Sequence, residues 1–272
     1  MAIDNQTMLI CSLAIKQGRL GAAMHNAAYS NLGVNAIYIP LTTSDIQGSI
    51  NGIRAMNFRG TTISMPYKQE VMKLLDKIDP IAKRIGAVNT VLNRDGVLIG
   101  YNSDWIGVVE ALKEVTILKG KRVVLVGAGG AARAAAYGLN KRGCKVTIFN
   151  RTAAKAKSIA KEFGLKFGGK PSKIKDSGDY DIIINATSVG FYPNENASAI
   201  NYSAISSGKI AMDVVITPAL TQFLKHAKSK GCKIVFGRRM LLHQALFQVK
   251  LFTKRNPPFK IMEKALLVAS RK

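Results

Sequence analysis

Acidic side chains are scarce in this chain. Sixteen aspartates and glutamates stand against forty lysines and arginines in 272 residues, a formal charge of +24. Cysteine is thinly spread as well: Cys11, Cys144 and Cys232 are odd in number, far apart, and form no C-x-x-C pair. That pattern excludes a disulfide framework and carries no zinc signature. The three histidines, His25, His226 and His243, are equally dispersed, so no metal site is expected. No apolar run approaches the roughly 20 residues needed to span a bilayer. The N-terminal MAIDNQTMLICSLAIKQG places an acid, and no basic region, ahead of its apolar stretch, which makes a poor signal peptide. A cytoplasmic protein without a membrane partner is the expectation.

The positive excess steers anions by long-range field. It is densest from Arg151 to Lys175, with eight basic residues and one acid, and from Lys225 to Lys272, with thirteen and one. These charges are interleaved with apolar residues at helical spacing, as in KRNPPFKIMEKALLVASRK, the pattern of solvated helix faces. No aromatic-interleaved nucleic-acid signature accompanies them. We therefore expect a small-molecule partner and no nucleic acid, in a monomer or homodimer.

With 47% hydrophobic residues the chain can bury ample cores. Short β-rich runs alternate with amphipathic ones: MLICSLA, AIYIP, TTISM, VNTVLN and VLIGYN in the first part, then RVVLV, KVTIF, DIIINAT, IAMDVV and KIVF. Helices are expected near 21–32, 45–56, 67–77, 103–117, 130–141, 152–163, 219–230, 239–254 and 260–270. NRDG turns one strand back into the next as a hairpin. Repeated strand–helix–strand cycles predict an α/β fold of two lobes, each with a mostly parallel sheet.

In VVLVGAGGAARAAAYGL an apolar strand meets a glycine turn and an alanine-rich helix. Gly127, Gly129 and Ala132 fit the dinucleotide fingerprint: the first permits the turn, the second lets backbone approach a pyrophosphate, and the helix N-terminus favours its charge. This strand–turn–helix context predicts a doubly wound Rossmann lobe. The following strand ends at Asn150, Arg151 and Thr152, with Lys155 one turn on, where an NAD enzyme carries an acid for the ribose 2′-hydroxyl. A guanidinium there grips a 2′-phosphate in two-pronged fashion. NADP is the expected cofactor.

Four further stretches set polar groups at element ends: SMPYK, GAVNT, GYNSDWIG and RRMLLHQ. Together with the GAGGA turn, the NRT triplet and NATSVG, in this order, they resemble the shikimate dehydrogenase family, which reduces 3-dehydroshikimate with NADPH. The resemblance runs from His25 to Gln244 and implies a place in aromatic amino acid biosynthesis, the chorismate pathway. It implies Lys68 and Asp104 as the catalytic pair. It also implies Ser64, Asn89, Asp104 and Gln244 as substrate contacts. On the cofactor side it implies Gly127, Ala128, Gly129, Gly130 and Ala131 of the turn, Asn150, Arg151, Thr152 and Lys155, then Thr187, Val214 and Gly237. The two lobes it implies are 1–102 with 238–272 for substrate and catalysis, and 103–237 for NADP.

The residue types suit ketone reduction on their own chemistry. Lysines ordinarily titrate near about 10.4, so one holds a proton at neutral pH and can pass it to a developing alkoxide. A neighbouring carboxylate orients that ammonium. The amides of Asn89 and Gln244 pair donors with acceptors for ring hydroxyls. Three features depart from the family pattern. The Ser-x-Ser-Pro segment that holds the substrate carboxylate is replaced by Arg19, Leu20, Gly21 and Ala22, and Arg19 is the candidate to take over that anion. Ile216 stands where a tyrosine is usual, and Trp105 where glycine is common. These changes leave quinate dehydrogenase, or a regulatory NADP-binding relative without turnover, as alternatives to shikimate dehydrogenase.

Overall fold

Runs of β-branched and aliphatic residues become parallel strands in both halves of the chain. The computed structural model describes residues 3–16, 18–174 and 179–271. It divides into two compact units, Met1–Ser103 with Leu242–Lys272, and Asp104–Leu241.

The first unit alternates β1 (Met8–Ala14), α1 (Leu20–Asn31), β2 (Ala36–Thr42), α2 (Ile46–Ala55) and β3 (Gly60–Ile63). Short β4 (Lys77–Ile78) and α3 (Pro80–Ile85) follow, then the hairpin of β5 (Thr90–Arg94) and β6 (Val97–Tyr101). The sheet order is β2-β1-β3-β5-β6-β4. β1 runs parallel to β2 and β3, and β5 antiparallel to β3 and β6. Asp95 and Gly96, with φ of 52° and 84°, make the hairpin turn, a mirror-image bend matched to strand twist. The Asp45 carboxylate caps α2 by accepting from Gly48 N at 2.8 Å.

The helix expected at 67–77 does not form: the segment is turn followed by a 3₁₀ stretch, Glu70–Leu74. Its backbone is engaged elsewhere, since Val88 N donates to the Lys68 carbonyl at 2.8 Å. The Tyr67 hydroxyl donates to Thr43 O at 3.0 Å and pins the start of the segment. Tertiary hydrogen bonds thus override a helix-like pattern.

The second unit contains α4 (Asp104–Lys113), β7 (Arg122–Val126), α5 (Gly130–Lys141), β8 (Lys145–Phe149), α6 (Ala153–Phe163) and β9 (Lys166–Gly169). It continues with β10 (Ile182–Asn185), β11 (Ile210–Asp213), α7 (Gln222–Ser229) and β12 (Lys233–Val235). Helices α8 (Gly237–Thr253) and α9 (Phe259–Arg271) end the described chain, and α9 packs on α1. All strands of the second sheet are parallel, in the order β12-β11-β10-β7-β8-β9. This is the doubly wound Rossmann order, with its switch point between β7 and β10. Buried aliphatic clusters cover both of its faces, as parallel strands require. The edge strand β9, sequence KFGG, was not expected, because two glycines and a lysine hide its periodicity.

At the end of β11 the buried Asp213 carboxylate ties three segments together. It accepts from Thr221 Oγ1 at 2.7 Å, Val215 N at 2.9 Å and Asn185 Nδ2 at 3.1 Å. Burial outweighs these donors and pushes its pKa up from 3.8 to about 6. The folded state therefore holds this proton in a window, between about pH 4 and 6, where the unfolded chain has released it. The contribution to stability is full below that window and falls as pH rises through it, by roughly 2–3 kcal/mol. Asp213→Asn keeps an acceptor for Asn185 and Val215 and offers a donor to Thr221, but does not titrate. The stability of wild type relative to Asp213→Asn should therefore fall by that amount from pH 4 to 6.5 in denaturant titrations. A difference independent of pH would contradict the assignment.

Candidate active site

In the first unit the lysine and asparagine segments are neighbours through the backbone. Ile63 N donates to Asn89 O at 2.8 Å, and Val88 N to Lys68 O at 2.8 Å. Ser64, just beyond β3, is exposed, with its own N–H on Leu13 O at 3.0 Å. Lys68 is half-buried, so its stem is covered while its position is held by main-chain bonds. Asn89 follows Gly86, the left-handed cap of α3 with φ of 72°.

The Asn89 side chain is buried and deeply engaged. Its Oδ1 accepts from Ser103 N at 2.8 Å and Thr90 Oγ1 at 2.9 Å, and its Nδ2 donates to Ser103 Oγ at 3.0 Å. Gln248 on α8 reaches the same cluster, its Nε2 donating to Thr90 Oγ1 at 3.1 Å and Ser103 Oγ at 3.2 Å. Half-buried Gln244 lies one helical turn earlier on the same face of α8. Asp104, next after Ser103, is fully buried and begins α4 of the second unit. Arg19 is exposed, and its Nε donates to Ala269 O of α9 at 3.0 Å.

In the second unit the glycine turn shows what each glycine is for. Gly127 has φ of 131°, and a Cβ on it would lie 2.5 Å from Ala186 O, so no side chain fits. A Cβ on Gly129 would meet nothing within 4 Å: the space in front of it is open. No side chain caps α5 at Gly129, so the amides of its first turn, at Gly130 and Ala131, are left for an anion. Ala132 is buried, in the third position where α5 packs on the sheet. Thr187 is held by its hydroxyl on Asn185 Oδ1 at 2.7 Å. Gly237 abuts the Val214–Val215 backbone so closely that a Cβ would sit 2.8 Å from Val214 O and 2.3 Å from Val215 O. Val214 and Gly237 are thus brought together, as are the turn and the end of β8. There Asn150 Nδ2 donates to Thr152 O at 3.0 Å, while Arg151, Thr152 and Lys155 are exposed. These surfaces fit a dinucleotide: an open glycine, uncapped helix amides and exposed cations at the strand end where a ribose phosphate lies.

Three family models match: the shikimate dehydrogenase substrate binding domain over residues 17–91, shikimate/quinate 5-dehydrogenase over 109–190, and the shikimate 5′-dehydrogenase C-terminal domain over 237–267. The shikimate dehydrogenase (NADP(+)) of Carboxydothermus hydrogenoformans is 40% identical over 98% of this chain and 99% of its own length. The chain belongs to the shikimate dehydrogenase family. A shikimate dehydrogenase crystallised in complex with NADP+ superposes with a TM-score of 0.92 at 35% identity, covering 100% of this chain and 98% of that one. The Thermus thermophilus enzyme, solved with NADP(H) and shikimate, gives 0.87 at 36% identity, covering 97% and 100%.

One departure from the family pattern, Trp105, has a packing partner in the second unit. It packs on α5, edge-on to Tyr137 at 5.8 Å and under Lys141 Nζ at 5.4 Å, where Gly138 leaves it room. Gly21 does face a polar group: a Cβ there would lie 3.6 Å from the Tyr38 hydroxyl, an ordinary contact that admits a serine. Thr90, Ser103 and Gln248 were missed by sequence reasoning, because hydroxyls and amides on amphipathic elements look like surface until burial is known. No group of three or more His, Cys, Asp or Glu side chains able to hold a metal occurs among the described residues. Nor is any described helix long and apolar enough to cross a membrane.

The exposed Arg151 should decide between dinucleotides. Charge-assisted hydrogen bonds contribute roughly 1.5–3 kcal/mol, so Arg151→Ala should weaken a 2′-phosphorylated dinucleotide about 10- to 100-fold. Its affinity for NAD should hardly change. Fluorescence titration with both cofactors checks this, and equal wild-type affinity for the two would contradict it.

Proposed function

We propose that this chain is an NADP-dependent oxidoreductase that interconverts 3-dehydroshikimate and shikimate, or a closely related cyclic hydroxy acid. The observation that carries this reading is the backbone pairing of the segment bearing Lys68 with the segment bearing Asn89, through Val88 and Ile63, in a chain similar over its whole length to enzymes named for that reaction. Residues 1–102 with 238–272 serve substrate and catalysis, and 103–237 serve NADP. The work belongs to aromatic amino acid biosynthesis in the cytoplasm.

NADPH, when bound, supplies the hydride that reduces the ketone carbon. Gly127 to Ala131 seat its pyrophosphate, Asn150, Arg151, Thr152 and Lys155 its 2′-phosphate end, and Thr187, Val214 and Gly237 its nicotinamide side. Lys68 holds a proton and donates it to the oxygen as negative charge develops there. In the reverse direction the same nitrogen receives that proton. Asp104 orients the ammonium and accepts from a substrate hydroxyl. Asn89, Gln244 and Ser64 fix the ring by its hydroxyls, which sets carbonyl and lysine in reacting alignment.

One observation favours a substrate other than shikimate itself. Where the family has two serine hydroxyls, this chain has Gly21 and an Arg19 whose Nε is already used by Ala269 O. Arg19 would meet a carboxylate through its terminal guanidinium nitrogens. Quinate, with the same carboxylate and one more hydroxyl, is the second candidate.

Lys68→Ala and Asp104→Ala should each lower turnover by about 10²–10⁴-fold. Because one orients the other, the double variant should lose little more than the worse single one. NADP affinity should stay near wild type in all three. Near-wild-type turnover in Lys68→Ala would remove the mechanism.

A further inference from the structure

Six buried polar side chains of the first unit form one connected path: Tyr29, His25, Gln248, Thr90, Ser103 and Asn89. His25 Nδ1 is 3.1 Å from the Tyr29 hydroxyl, and its Nε2 is 3.2 Å from Gln248 Oε1. Gln248 Nε2 continues to Thr90 and Ser103, whose hydroxyls meet the Asn89 amide. We propose that this path is a one-directional hydrogen-bond relay that, together with the Ser103 backbone N–H, locks the Asn89 amide in a single orientation, with Gln248, His25 and Thr90 as its positioning residues.

The direction follows from which atoms can donate. The backbone N–H of Ser103 cannot reverse, and it points at Asn89 Oδ1 at 2.8 Å, so that atom is the oxygen. Thr90 then donates its single hydroxyl proton to Asn89 Oδ1 and must receive from Gln248. That requires the nitrogen of Gln248 to face Thr90 and Ser103, and its oxygen to face His25. An amide oxygen only accepts, so His25 carries its proton on Nε2. The remaining Nδ1 of a neutral imidazole is an acceptor, and the Tyr29 hydroxyl supplies its proton. Complete burial keeps the ring neutral, with its pKa lowered to about 4. Ser103 Oγ accepts from both amide nitrogens and donates back to Asn89 Oδ1 at 3.2 Å. Reversing either amide or the imidazole would set two donors or two acceptors face to face inside a buried cluster.

The consequence lies at Asn89. Held in this sense, its Nδ2 is committed as the donor end of the side chain. Held by the Ser103 N–H alone, the amide would sit less rigidly before a substrate hydroxyl and lose part of its discrimination. The inference rests on the reading of Asn89 as a substrate contact, and the experiment separates the two.

The test is steady-state kinetics with shikimate and NADP on the full chain. NADP affinity and thermal midpoint are measured for every variant. Asn89→Ala comes first: an unchanged KM would remove Asn89 from the substrate site, and the relay's purpose with it. With Asn89 established, Thr90→Val keeps the shape and deletes the relay hydroxyl. It should raise KM about three- to ten-fold while kcat stays within about two-fold, and Thr90→Ser should restore the wild-type KM. Gln248→Glu, which offers oxygens to both hydroxyls, should raise KM likewise. If Gln248→Glu does not fold, the threonine pair still decides. A wild-type KM in folded Thr90→Val, or an equal rise in Thr90→Ser, would overturn the proposal and leave a packing role only. Nitrogen-15 NMR of His25 gives an independent reading: protonation at Nε2 is expected, and protonation at Nδ1 would reverse the relay and overturn it.

Discussion

Two backbone hydrogen bonds, from Ile63 to Asn89 and from Val88 to Lys68, hold the first unit's candidate site segments in place. They fasten the segment after β3 to the segment before β5, so a flexible lysine and a directional amide start from fixed positions. The segment runs as a turn and a 3₁₀ stretch instead of the expected helix, with its Lys68 carbonyl turned to Val88. Around this join the unit fills with side-chain hydrogen bonds where a core would ordinarily be apolar. Asn89, Thr90 and Ser103 are all buried, and each is satisfied by another member of the group. Polar groups so placed are costly unless paired. Their pairing is what gives the site a single shape.

The second unit reaches its function by leaving things out. Gly127 and Gly237 allow backbone to approach backbone, and Gly129 keeps the space in front of it clear. The start of α5 has no capping side chain, so its amides face whatever anion arrives. Glu162, the one acid of α6, lies in its last turn, where Arg133 Nη2 donates to both carboxylate oxygens at 2.8 Å.

Much of this was legible in the sequence because it rests on strong local signals. The glycine turn lies between a strand and a helix, and the Asp95–Gly96 hairpin has two residues suited to positive φ. Apolar runs such as IIIN and RVVLV are the mark of strands covered on both faces. What stayed hidden depends on contacts far apart in the chain. Edge strand β9 has too little periodicity to read, and the 67–77 helix pattern was defeated by Val88. Trp105 stood out only as a bulky replacement for glycine, and Gly138 on the facing helix shows where it packs. Thr90, Ser103 and Gln248 carry no motif at all: only the meeting of β5, the end of β6 and α8 makes them one cluster.

The central claim is that this chain oxidises and reduces a cyclic hydroxy acid with NADP. It is tested most directly by mixing the purified chain with NADP and, in parallel, shikimate or quinate, and following the appearance of NADPH. The account predicts reduction of NADP by at least one of the two acids, with a much slower rate when NAD replaces NADP. Bound NADP that is reduced by neither acid would contradict it.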